Sequence, residues 1–169
     1  MEGIPPAEPR EFRSDIFKQT PLNSMQKQVL AHLGARFLAH RELVLALPEK
    51  AFQAKLPVRS NNIGAQYWCV VGARQSYTRA IAAGEWAGFK CSLSSQDVKV
   101  KQKVLDALDQ SAADFDQVAG QVEWTVPRTE LLLALFEHET QHQGQLIRYV
   151  YGLGYKFPTS WIERWALEN

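Results

Sequence analysis

Two cysteines in 169 residues, Cys69 and Cys91, leave no disulfide framework, and a chain of this length can bury a core without one. Charge of one sign is also missing. Nineteen basic and 18 acidic residues give a formal net charge of +1, so no broad field exists to recruit nucleic acid or an acidic membrane. The small basic run Lys99, Lys101 and Lys103 is interleaved with Asp97, Asp106 and Asp109 and reads as a solvated helix face. No helix-turn-helix signal accompanies it. Long hydrophobic runs are absent, since Leu131 to Phe136 stops at Glu137 and His138. The opening residues Met1 to Pro6 carry no stretch of signal-peptide type, and the expectation is a cytoplasmic protein with no membrane or nucleic-acid partner. Strand patterning is confined to the alternation of Val122, Trp124 and Val126, too little to build a sheet. No internal repeat or low-complexity segment occurs.

What remains is ordinary globular composition, 46% apolar and 22% charged, arranged with helical periods. Residues 1–21, with Pro5, Pro6, Pro9 and Pro21, read as an N-terminal arm, and residues 22–169 as one all-α domain. A first helix is expected over about 23–46, with Asn23 or Ser24 as cap and Leu47-Pro48 as stop. A second is expected over about 63–83, with the small residues Ala65, Cys69, Gly72 or Ala73, Ser76 and Ala80 along one face. Such a face admits a close neighbour or leaves room for something else. Gly84 to Phe89 reads as a loop held down by two aromatics. A third helix is expected from about Ser95, capped by Ser94 and Asp97, with a crossing segment over 116–127. A fourth begins near Pro127 and ends near Gly152 and Gly154, and a short fifth follows Pro158. Four long amphipathic segments argue for a four-helix bundle.

On the fourth helix, Leu131, Leu135, His138, His142, Leu146, Tyr149 and Leu153 form one stripe. Residues four apart share a helix face, so His138 and His142 can present two imidazoles to one ion. Buried without partners, two imidazoles would be costly, and a shared metal satisfies both. The competing account gives each a hydrogen-bond partner on another helix. Zinc needs at least a third protein ligand. Cys69, on the small-residue face of helix two, is the preferred one, although a lone cysteine is often only a small buried hydrophobe. His32 and His40 compete for the role, with surface or boundary positions expected for both. Glu137, Glu139 and Gln141 are candidate outer partners of the imidazoles. Glu139 also completes a formal His-Glu-x-x-His pattern, which is weak evidence for a hydrolase. Arg74 and Arg148 read as surface cations or as charge at a cavity mouth. Tyr67, Tyr77 and Tyr149 read as cavity lining or core. Gly144, inside the helix, costs about 1 kcal/mol relative to alanine and suggests a close helix contact.

The stretch Phe136 to Tyr149, with His138, His142 and Gly144-Gln145-Leu146, resembles the closing motif of the DinB-like family of metal-binding four-helix bundles. Arg59 to Ile63, through Trp68-Cys69, is similar to the entrance to that family's second helix, and the coarse pattern agrees from about Leu22 to Gly154. The resemblance implies an up-down-down-up bundle, commonly a homodimer, with a divalent metal such as zinc or nickel in a central cleft. The family's ligands are typically one histidine on helix two and two on helix four. His138 and His142 match the latter, and Cys69 stands where the helix-two histidine would be. Some relatives transfer low-molecular-weight thiols such as bacillithiol or mycothiol, others isomerise maleylpyruvate, and many are known as stress- or damage-induced proteins. The resemblance therefore implies a metal-dependent enzyme, a thiol S-transferase acting on a small electrophile. Its alternatives are a non-catalytic stress-related or dimerisation protein with a degenerate site and, further off, a metal-dependent hydrolase.

Overall fold

The structure, a computed structural model, describes residues 23–169. The expected N-terminal arm lies outside the described residues. Five α-helices make up the described chain: α1 (Ser24–Ala46), α2 (Ile63–Ala83), α3 (Lys101–Ala119), α4 (Val126–Gly152) and α5 (Thr159–Trp165). Among the described residues there is no strand, only an isolated bridge between Lys55 and Asn62. No described helix is long and apolar enough to cross a membrane.

Local signals fix most helix ends. Asn23 accepts from the Gln26 backbone N–H at 2.8 Å while the Gln26 side chain accepts from the Asn23 N–H at 3.0 Å, a reciprocal cap for α1. α1 stops at Leu47, whose extended backbone (φ −78°, ψ 141°) is the conformation favoured before Pro48. Asn62 caps α2 through the Ala65 N–H, and Gly84, at φ +87°, ends it in the left-handed region. Pro127 sits in the first turn of α4, where a missing N–H removes nothing the helix needs.

Two expectations about α3 are corrected. Ser94 and Asp97 do cap each other, but they start only a short 3-10 turn, Asp97–Lys99. Val100 is extended (φ −105°, ψ 109°), so the α-helix begins at Lys101. The crossing segment is also shorter than 116–127, because α3 continues to Ala119 and the Trp124 indole folds back to donate to the Ala119 carbonyl. Lys101 is not merely solvated either, since its ammonium caps the carbonyls of Leu45 and Leu47 at the end of α1.

The small face of α2 receives the loop after it. A side chain at Gly72 would collide with the Phe89 ring, and the Ser76 hydroxyl accepts from the Lys90 N–H. The loop is strapped along α2 by two ring pairs, Tyr77–Trp86 and Trp68–Phe89, each 4.9 Å between centroids. At the C-terminus α5 buries Trp161 completely and its indole donates to the Ala39 carbonyl at 2.8 Å.

The core has two apolar parts. One gathers Leu43, Val44, Phe52, Tyr67, Val71, Leu105, Leu146 and Trp161, the other Leu33, Phe37, Ile81, Phe115, Leu132 and Leu135. Along α1, α2 and α4 the residues between these two sets are polar and buried: His40, Arg74, Glu139, His142 and Gln143. The chemistry of the molecule lies in this middle layer.

Candidate metal centre

The first buried cluster is an ion pair. Arg74 and Glu139 are fully buried, with Arg74 Nε donating to Glu139 Oε1 at 3.1 Å and Nη2 to Oε2 at 2.9 Å. Two parallel bonds of this kind are the strong form of a guanidinium–carboxylate contact. Arg74 Nη1 donates to the Leu108 carbonyl on α3 at 3.3 Å, and the guanidinium lies 3.7 Å from the centroid of the Phe37 ring on α1. His40 Nε2 stands 3.2 Å from Glu139 Oε2. Burial, partly opposed by Glu139, lowers the His40 pKa to about 4, so a neutral imidazole stands beside the carboxylate and its Nε2 donates to the Glu139 backbone carbonyl at 3.3 Å. Burial alone would raise the Glu139 carboxyl, but Arg74 and then His40 hold it below its ordinary value.

Three expectations change with this cluster. Arg74 is neither a surface cation nor a cavity-mouth charge; it is sealed against Glu139. Glu139 is not an outer partner of the imidazoles or a free general base, because both of its oxygens are engaged. His40 is buried rather than at a boundary, while His32 is exposed. Glu137 and Gln141 are exposed as well.

The second cluster faces the seam between α2 and α4. His138 and His142, one turn apart on α4, place their rings 4.5 Å apart between centroids. Cys69 on α2 brings its sulfur 3.8 Å from His138 Nε2. One donor atom from each of Cys69, His138 and His142 lies within 4.8 Å of the others, so this group could hold a metal ion. The spacing fits a shared ion. Zinc bonds of about 2.3 Å to sulfur and 2.0–2.1 Å to nitrogen, at the tetrahedral angle, separate the two ligand atoms by about 3.5 Å.

Gln66, one turn before Cys69, orients the pair. His142 Nδ1 donates to Gln66 Oε1 at 2.7 Å, and both side chains are buried. An amide oxygen only accepts, so the proton is on Nδ1 and the lone pair is left on Nε2, the tautomer a metal ligand needs. Burial, followed by the neighbouring His138 and His40, lowers the His142 pKa to about 4. Burial likewise lowers His138, against the opposing effect of Glu139. Both rings are therefore neutral and ligand-competent near neutral pH. Burial pushes the Cys69 thiol up, so a cation is what would draw its proton off.

The Leu131–Leu153 stripe needs adjustment. The buried positions of α4 are Leu132, Leu135, Glu139, His142, Gln143, Leu146, Tyr149 and Val150, and His138 is half-buried at the edge. Tyr67 and Tyr149 are buried, their hydroxyls donating to the His40 and Asn61 carbonyls; Tyr77 is half-buried against Trp86. Gly144 is exposed with nothing within 4 Å of where a Cβ would stand, so no close helix contact explains it. Gln66, Arg74 and Glu139 are the residues whose roles sequence reasoning missed. The spacing Leu132, Leu135, Glu139, Leu146 is as helical as the one through His138, but only the partners Arg74 and His40, distant in sequence, give Glu139 its role.

No protein-family profile and no curated protein matches the sequence.

Proposed function

We propose that this chain is a DinB-like four-helix bundle in which Cys69, His138 and His142 bind a divalent ion, and that it transfers a low-molecular-weight thiol to a small electrophile. The observation that carries this reading is the convergence of three donor atoms from two helices within 4.8 Å. Helix directions support the topology. Arg41 with Asp109 and Phe37 with Phe115 oppose α1 and α3. Arg128 with Ile81 and Tyr149 with Asn61 oppose α4 and α2. Gln26 with Thr129 near the helix starts and Arg36 with Gln143 further along align α1 with α4. That order is up, down, down, up.

The soft sulfur and two imidazoles suit zinc, with nickel as the second choice. Such an ion, with a coordination position left open, lowers the pKa of a bound thiol and supplies a thiolate at neutral pH. The chain's own contribution is positional. Gln66 keeps the His142 lone pair turned toward the site, and Cys69, as a ligand, is not the transferring sulfur. The hydrolase reading loses its base, since Glu139 is committed to Arg74 and His40 and Glu137 is exposed. A non-catalytic role with a degenerate site is favoured only by the cysteine standing in the histidine's place.

The test is a zinc titration of untagged protein against a chromophoric chelator. One ion per chain is expected, with affinity lost at least 100-fold in Cys69→Ala and His138→Ala. Absence of stoichiometric binding of zinc, nickel and manganese would remove the proposal. Transfer is then assayed with a thiol panel and a model electrophile, comparing loaded wild type with His138→Ala.

A further inference from the structure

Further along the α2–α4 seam, and sharing no lining residue with the three donors, lies a groove of about 510 Å3. Its walls are Tyr77 and Trp86, its base Leu131 and Ala134, and its rim Glu85 and Glu130. The groove and the donors are neighbours by helix geometry. Ala134 precedes His138 by four residues on the same face of α4, about 6 Å along the axis. Tyr77 lies two turns beyond Cys69 on α2.

Three features specify what such a groove would take. Trp86 and Tyr77, tilted 51° to one another, present aromatic faces, and Trp86 remains 47% exposed although the ring pair could have been packed away. Leu131 and Ala134 supply an apolar base. Glu85 and Glu130 are exposed carboxylates in no ion pair among the described residues. Arg128 reaches the Gly84 end of the groove, Nη2 3.7 Å from where a Cβ would stand, and donates to the carbonyls of Ile81, Ala82 and Glu123, so the two carboxylates leave the lining net negative. Aromatic faces and free carboxylates around an apolar base attract a positive charge carried on an apolar body.

We propose that this groove binds a small organic cation, an amine or quaternary ammonium with an apolar group of about one ring, and that the second substrate of the centre is such a cation bearing at its uncharged end an activated double bond, to which the thiol adds its sulfur at one carbon and its proton at the other. The assignment as substrate rests on the metal reading of Cys69, His138 and His142. Binding itself does not. A ring on Leu131 and Ala134, with its charge between Trp86 and the rim, would point its far end along the seam toward His138.

A matched series tests the groove in metal-free, full-length protein: phenethylammonium, neutral 2-phenylethanol and anionic phenylacetate, followed by calorimetry and by the Trp86 indole N–H resonance, assigned through Trp86→Phe. Phenethylammonium is expected to bind about tenfold more tightly than the alcohol, with phenylacetate weakest and added salt narrowing the difference. Trp86→Ala should weaken the cation at least tenfold, and Glu130→Gln and Glu85→Gln, both at the surface, several-fold each without affecting the alcohol. Equal binding of cation and alcohol, preference for the anion, or shifts that leave the Trp86 resonance unmoved would overturn the proposal. The two readings fail separately. Selective cation binding without zinc uptake would discard the metal and its substrate assignment but keep the groove, while zinc uptake with no cation selectivity would do the reverse.

Discussion

Two polar clusters share the middle layer, and they differ in how they are satisfied. Arg74 and Glu139 supply opposite charges and complementary donors to one another, His40 stands against the carboxylate, and burial has closed them in. Cys69, His138 and His142 converge more loosely, within 4.8 Å, as two neutral imidazoles and a thiol with no cation among them. A closed set holds the fold together; two neutral imidazoles and a thiol drawn together without an opposite charge could hold a metal ion.

Breaking the closed cluster should have the largest effect. Arg74→Ala leaves a buried, unpaired carboxylate and is expected to lower stability by about 3–5 kcal/mol in urea denaturation. Replacing both partners, Arg74→Met with Glu139→Leu, should lose much less. Cys69→Ala, made without metal, should stay within about 1 kcal/mol of wild type. Equal losses from Arg74→Ala and Cys69→Ala would erase the contrast.

The open cluster is sharpened by Gln66→Leu, which frees His142 to rotate and change tautomer. A 10- to 100-fold drop in zinc affinity is expected by chelator competition. A change under twofold would mean that the ring is held by packing alone.

Acid probes both clusters together. His40 and His142 have pKa values of about 4 in the folded protein against about 6.5 in the unfolded chain, so the unfolded state takes up protons first. Stability of metal-free protein should therefore be full above about pH 6.5, fall as pH drops toward 4, and gain no further loss from these two groups below that. Thermal melting across this range measures it, and His40→Gln or His142→Gln should each flatten the slope. The smallest effect belongs to neither cluster. Gly144→Ala, in an exposed helical position with open space around it, should raise stability by up to about 1 kcal/mol and leave zinc binding unchanged.

Helix ends were largely legible because their determinants are local. Asn23 with Gln26, Asn62, Gly84 and Pro127 each act within a few residues of the end they mark. The start of α3 shows the limit of that logic, since the Ser94–Asp97 cap is real but serves a three-residue turn. The His138–His142 pair was legible for the same local reason, a spacing of four. Glu139 was not, because a carboxylate on a helix reads as exposed until its counter-charge is known. Arg74 is 65 residues away and His40 is 99 away. Gln66 and His142, 76 apart, are in the same position. Proximity across the fold decides these roles, and short-range pattern carries no trace of it.

The mid-height ion pair also acts as an index mark for assembly. Greasy helix faces tolerate sliding past each other by a turn, about 5.4 Å, with one leucine taking the place of another. A slip of that size between α2 and α4 would strand Arg74 and Glu139 among aliphatic side chains, so only one alignment of the two helices remains affordable. Cys69 and the two imidazoles ride on those same helices, and the same alignment sets where they meet.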